Sequence, residues 1–170
     1  MSDELTIKSL RSAILKSGAQ LPETDEMQFE KTARRFERAV AQLVTDIQKV
    51  VDQIPELKVA LEDEYEVFTS PAFPNRSLKI HDQRVRITRS SNMLLFDPTG
   101  KTLMSALGQI EIEASHPLPM MVDKTLYLIP KRDGSGAMWG FRSVSDMGGP
   151  LAPFTPQVLL AMLQAVFAEG

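Results

Sequence analysis

The stretch DEMQFEKTARRFERAVAQLVTDIQKVVDQIP, residues 25–55, decides the fold because its apolar residues recur at alternating steps of four and three. This spacing is an a/d heptad pattern, which places one apolar stripe along a single α-helix. Thr24 or Asp25 can cap the start of the helix, and Pro55 ends it. The residues of the stripe are Phe29, Ala33, Phe36, Val40, Leu43, Ile47, Val50 and Ile54.

An apolar stripe of this length must be covered, because a helix of about 29 residues is about 43 Å long and each stripe side chain gains about 1–2 kcal/mol on burial. Two coverings are compatible with the sequence. The sheet and the other helices of the same chain can cover the stripe, or a second copy or another protein can. In the second case the binding residues are Phe29, Phe36, Val40, Leu43 and Ile47.

The remainder of the chain predicts two shorter helices and an antiparallel sheet. A helix is expected over Glu4–Lys16, and another over Gln157–Ala168 with Thr155 as its cap. From about residue 64 short strand patterns follow one another without an intervening helical pattern, which favours antiparallel pairing. The predicted strands are Tyr65–Thr69, Leu78–Ile80, Arg84–Arg89, Met93–Phe96, Thr102–Leu107, Gln109–Glu113, Thr125–Ile129 and Ala137–Phe141, with turns at residues 97–100 and 131–136.

These patterns predict an α+β fold with one long heptad-patterned helix among the N-terminal helices, an antiparallel sheet of about five to seven strands, and a C-terminal helix. We expect a single domain over residues 1–170. Its parts are a helical portion over residues 1–62, a sheet over 63–142, and a loop followed by the C-terminal helix over 143–170.

Composition narrows the possible functions. The 170 residues carry 19 Lys and Arg against 22 Asp and Glu, a formal net charge of −3, which argues against a surface built wholly for nucleic acid. The chain has no cysteine and two histidines, so neither a metal nor another cofactor is expected. The apolar runs are too short to cross a membrane, and the acidic N-terminus resembles no targeting signal. We therefore expect a cytoplasmic protein that does not enter a membrane.

Residues 76–89 form a basic segment that permits two interpretations. Its cations can bind an anionic partner, or they can pair with acidic residues on neighbouring strands, namely Glu64 and Glu66 or Glu111 and Glu113. Aromatic residues that stack on bases are few nearby, so nucleic acid is an unlikely partner. The candidate binding residues are Arg76, Lys79, Arg84, Arg86 and Arg89, with Asp82 as the single acid among them.

Several apolar residues late in the chain can belong either to the core or to the lining of a pocket. The candidates are Met120, Met121, Tyr127, Ile129, Trp139 and Phe141. If they are not all core, they can line an apolar pocket between the sheet and the C-terminal helix, closed by the loop at residues 143–156. The two histidines, His81 in an expected turn and His116 in a loop, are interpreted as exposed loop residues; a loop-built catalytic site is the alternative.

Three functions follow from these observations. The first is a non-enzymatic intracellular interaction module, adaptor or chaperone-like, that docks on a protein partner or forms a homodimer through the long helix. The second is a carrier of a small apolar ligand, with its pocket between the sheet and the C-terminal helix. The third is a hydrolase or isomerase with its site around His81 or His116. The sequence favours a function other than catalysis.

Overall fold

The structure, a computed structural model, describes residues 6–12, 24–99 and 106–168. In the described residues a long helix precedes an antiparallel seven-stranded sheet in the order β1 to β7, and a C-terminal helix follows. The predicted α+β fold is confirmed. The elements are α1 (Asp25–Val51), β1 (Lys58–Ser70), β2 (Phe73–Arg89), β3 (Asn92–Pro98), β4 (Gly108–Ala114), β5 (Thr125–Pro130), β6 (Ala137–Phe141), β7 (Ala152–Pro153) and α2 (Pro156–Leu163), which continues as a π-helical turn over Gln164–Ala168.

Helix α1 begins where the sequence predicts and ends one turn earlier. The side chain of Thr24 accepts a hydrogen bond from the backbone N–H of Met27 at 3.2 Å, so Thr24 is the N-cap. The helix ends at Val51, whereas the heptad pattern runs on to Ile54. The ring of Pro55 disfavours helical backbone at the preceding residue, so Ile54 lies beyond the helix. The side chain of Ile54 is half-buried against the core.

The chain covers the apolar stripe with its own sheet and C-terminal helix. The stripe residues of α1 join one continuous core with the inner faces of β2 to β6 and with α2. The side chains of the predicted docking surface have between 0% and 5% of their surface exposed, so in this structure the chain itself covers them. They are Phe29, Phe36, Val40, Leu43 and Ile47.

Strands β1 and β2 form a long two-stranded ribbon whose register runs without interruption from Lys58 opposite Thr88 to Phe68 opposite Leu78. The predicted division of β2 into two strands, Leu78–Ile80 and Arg84–Arg89, with a turn at His81 is wrong. Residues 81–83 lack turn-forming glycine or proline, and each has a partner on β1. Toward the ribbon tip β2 extends beyond its pairing with β3, and the carboxylate of Glu37 on α1 accepts a hydrogen bond from the backbone N–H of His81 at 2.9 Å.

The face of this ribbon that is buried changes along its length. Near the sheet Val85 and Ile87 are buried, whereas toward the tip Phe68 and Ile80 are buried. Ile80 and Val85 belong to opposite faces of a regular strand, and the register shows no shift between them. A strong twist, typical of two-stranded ribbons, turns first one face and then the other toward the core. The change occurs around Asp82.

Other boundaries also differ from the predictions. Asp97 and Pro98 lie in strand β3 rather than in a turn, and Leu107 lies outside the strands. The rest of the predicted turn and strand at residues 100–105 falls outside the described residues, as do residues 4–5 and 13–16 of the first predicted helix. Of that helix, residues 7–12 are helical, but Ile7 and Leu10 are 80% and 49% exposed, so they form no packed stripe.

The C-terminal helix packs into the core as its apolar pattern predicts. The hydroxyl of Thr155 accepts a hydrogen bond from the backbone N–H of Val158 at 3.3 Å, which confirms the predicted cap. Leu159, Met162 and Val166 are each at most 2% exposed. Among the helices of the described residues, none combines the length and apolarity needed to span a membrane.

We predict that Gly108→Ala destabilises the protein. A methyl group at Gly108 would overlap the ring of Phe36, which is fully buried and cannot move aside. We expect a loss of about 1–3 kcal/mol in the free energy of unfolding, measured by urea denaturation. Gly148→Ala, with no neighbouring atom within 4 Å, is the control. If Gly108→Ala unfolds at the wild-type urea concentration, α1 does not pack on β4 as described.

Candidate functional site

A cleft of about 760 Å³ lies between α1, strands β5 and β6, and the start of α2. Its floor is apolar because α1 and the sheet meet there along the end of the stripe. The side chains of the floor are Leu43, Ile47, Leu128, Met138, Trp139 and Leu159. The segment before α2, at residues 153–156, forms one wall, and of the six side chains predicted to line a pocket Trp139 alone lines this cleft.

Trp139 is fixed in this cleft by two contacts with α1. Its indole N–H donates a hydrogen bond to the backbone carbonyl of Ala39 at 3.2 Å. Its ring meets the ring of Phe36 edge-on, with centroids 6.3 Å apart. Because the polar atom of the indole is already bonded, the half-buried ring presents apolar surface to the cleft.

The rim of the cleft is basic. Arg35, Arg38 and Lys49 come from the polar side of α1, and Lys131 comes from the turn after β5. All four side chains are exposed, and none lies within 4 Å of a carboxylate in an ion pair among the described residues. Among the rim residues that the structure describes, Asp46 is the one acid. The cleft therefore combines an apolar floor with an excess of positive charge.

Arg84 and Arg86, predicted to bind an anionic partner, form ion pairs with acids of β1. Arg84 Nε lies 2.9 Å from Glu64 Oε1, and Arg86 Nε lies 2.7 Å from Glu62 Oε1. The hydrogen bond from Arg86 holds the pKa of Glu62 below its usual value. The structure thus supports the pairing interpretation.

The acids predicted as alternative partners of these arginines are not directly opposite them. Glu111 and Glu113 lie on β4, opposite Asp97 and Leu95 of β3. Strand β3 therefore separates them from β2.

The other three predicted basic residues do not join these arginines in one patch. Arg76 and Lys79 lie toward the ribbon tip, where Lys79 Nζ stands 4.9 Å from the centroid of the Tyr65 ring. Arg89 is at the opposite end of the same strand, about 40 Å from Arg76 at about 3.3 Å per residue. A single small anion such as phosphate cannot contact both ends.

A cluster of four acids, Glu64, Glu66, Asp82 and Asp97, lies beside Arg84; we call it the carboxylate cluster. One oxygen from each of Glu64, Glu66 and Asp97 lies within 4.8 Å of the others. Burial, together with repulsion between neighbouring carboxylates, raises the pKa of Glu66 to about 9 and those of Asp82 and Asp97 to about 6. Sequence reasoning missed the cluster, although acids at alternate positions of β1 put them on one face.

The two histidines lie in different places. His81 is an exposed residue within β2, with Nε2 3.2 Å from Asp63 Oδ1. His116 follows β4, and its Nδ1 lies 3.1 Å from the hydroxyl of Ser115. Among the described residues no hydrogen bond joins a carboxylate to His116, so the structure does not assemble a serine–histidine–acid triad there.

Comparisons with protein-family models, with curated proteins and with solved structures find no match for this chain.

We predict that Asp82→Asn stabilises the protein at about pH 8 and has less effect at about pH 5. An acid whose pKa is higher in the folded than in the unfolded state binds protons more strongly when folded. Its contribution to the free energy of unfolding therefore falls as the pH rises from the unfolded pKa to the folded pKa. The amide carries no charge and removes this loss, which we expect to be about 1–2 kcal/mol. Urea denaturation in EDTA at both pH values measures the difference.

Glu113→Gln is the control for this measurement, because Glu113 is an exposed carboxylate of β4 that lies outside the cluster. We expect its effect to be small at both pH values. A destabilising effect of Asp82→Asn at pH 8 would contradict the prediction and would assign the carboxylate a bonding role.

Proposed function

We propose that this protein binds a small amphipathic molecule, with an apolar body and an anionic group, in the cleft between α1, β5, β6 and α2. The observation that supports this function is the apolar floor beside a rim of cations that form no ion pairs among the described residues. The proposal refines the apolar carrier that the sequence predicts by adding an anionic group to the ligand.

The dimensions and chemistry of the cleft fit such a ligand. Its volume of about 760 Å³ falls within the range of about 300–1,000 Å³ that is typical of small-molecule sites. An apolar chain on this floor gains about 25 cal/mol for each Å² removed from water. The rim cations attract an anion electrostatically, and no ion pair within the described residues has to be broken first.

The other predicted functions receive less support. The stripe that was expected to dock on a partner is buried, so an interaction module would have to use another surface. Homodimer formation stays a prediction that sedimentation equilibrium can test. A hydrolase or isomerase also stays a prediction, and the contacts of His81 and His116 do not favour it.

We predict that decanoate binds in the cleft and changes the fluorescence of Trp139, the one tryptophan of the chain. Reversing two rim charges in Arg35→Glu with Arg38→Glu should weaken this binding about fivefold or more, because the rim would then repel the carboxylate. Titration of the wild-type protein and the variant with decanoate at low salt measures the dissociation constants.

The matched control is Arg76→Glu with Lys79→Glu, which changes the net charge equally on the ribbon, away from the cleft. We expect it to bind decanoate as the wild type does. The proposal fails if decanoate leaves the fluorescence of Trp139 unchanged, or if decyltrimethylammonium binds as tightly as decanoate. Equal weakening in both double variants would also overturn it, since the effect would then come from net charge alone.

A further inference from the structure

We propose that the sheet surface around Arg84 holds one divalent cation of the size of Ca²⁺, bound by Glu64, Glu66 and Asp97. This site is separate from the cleft. Asp97 alternates along β3 with the buried core residue Phe96, so its side chain lies on the face of the sheet that points away from α1.

Three carboxylates converge from two strands that are not adjacent. Glu64 and Glu66 lie two residues apart on β1 and so share a face, and Asp97 reaches toward them from β3, across β2. One oxygen of each lies within 4.8 Å of the other two. Oxygens bound to the same Ca²⁺ at about 2.3–2.6 Å are at most about 5 Å apart, so all three can bind one ion.

Asp82 supplies the second and independent observation. Its side chain is 3% exposed, and no N–H or hydroxyl group donates a hydrogen bond to either of its carboxylate oxygens. It faces Glu66, whose Oε2 is also buried without a hydrogen-bond partner. The facing carboxyl groups of Glu66 and Asp82 can share one proton, but one buried oxygen of Asp82 is then still without a donor, and a cation beside the pair removes that cost.

Gln109 on β4 carries a neutral oxygen on the same face of the sheet as Asp97. Glu111 is directly opposite Asp97, so Gln109 is its diagonal neighbour on the same face of the sheet. The side-chain oxygen Oε1 of Gln109 is buried and accepts no hydrogen bond. Carboxylate and amide oxygens together are the ligands that Ca²⁺ takes in proteins.

Arg84 offsets only part of the negative charge. Its guanidinium lies 2.9 Å from Glu64 and 3.9 Å from Asp97, and it also contacts Glu62. Glu62 is shared with Arg86, so the four acids of the carboxylate cluster have one guanidinium among them. When all four acids are ionised, the excess is about three negative charges, more than one divalent ion neutralises.

The geometry favours Ca²⁺ over Mg²⁺. Mg²⁺ requires near-ideal octahedral ligands at about 2.0–2.1 Å, whereas Ca²⁺ accepts six to eight oxygens in irregular arrangements. Side chains that reach one point from separate strands, beside a bulky guanidinium, form an irregular set.

The test uses the full-length protein, freed of metal with EDTA and transferred to metal-free buffer. Calorimetric titration with CaCl₂ and with MgCl₂ measures affinity and stoichiometry, and far-UV circular dichroism measures the melting temperature with each ion. We expect one Ca²⁺ per chain, a higher melting temperature in Ca²⁺, and weaker binding of Mg²⁺. Asp97→Asn and Glu66→Gln should each weaken Ca²⁺ binding tenfold or more.

Glu113→Gln, which removes an exposed carboxylate of the same sheet face outside the cluster, should bind Ca²⁺ within about twofold of the wild type. The melting curve in EDTA shows whether each variant folds, and Glu66→Gln replaces Asp97→Asn if the latter does not. Absence of heat and of a melting shift with wild-type protein at about millimolar CaCl₂ overturns the proposal. So do tighter binding of Mg²⁺ and equal losses in Glu113→Gln and the cluster variants.

Discussion

The contact of the Phe36 ring with the inner face of the sheet is the constraint on which the rest of the structure depends. The ring is fully buried, rests where β4 has Gly108 instead of a side chain, and meets rings from both ends of the fold, Phe68 on the ribbon and Trp139 on β6. Because this contact fixes the distance of α1 from the sheet, it also fixes the positions of the polar residues beside Phe36. Arg35 and Arg38 then stand at the edge of the cleft, and Glu37 reaches the backbone of β2.

The sequence predicted the elements well because their signals are local. Heptad spacing located α1, and Thr24 and Thr155 located the two caps. The sequence could not decide what covers the stripe, because the same apolar residues are needed whether the chain itself or a partner buries them. Strand pairing was harder. The partners of Arg84 depend on a register set by the whole ribbon, and the acids of β1 and β4 are equally spaced candidates in the sequence.

The functional features were the least predictable, because each depends on atoms brought together from distant parts of the chain. The floor of the cleft combines α1 with strands that begin about a hundred residues later, and core residues and cleft residues look alike in a sequence. The carboxylate cluster arises where the ribbon changes its buried face. A regular strand would leave Asp82 in solvent, whereas the twist buries it next to Glu66.

Burial of Asp82 is also the reason for regarding the cluster as more than a by-product of folding. The paired arginines and acids of β1 and β2 satisfy each other, so they can be explained by stability alone. Asp82 has no donor besides the carboxyl group of Glu66, so one of its buried oxygens is unpaired, and burial of such a group lowers stability unless a further ligand compensates it. Residues whose burial is unfavourable for the stability of the fold are often found at functional sites. The basic cleft lies beside α1, β5 and β6 whereas the carboxylate cluster lies on β1, β2 and β3, so the two proposals concern separate places and can be tested independently.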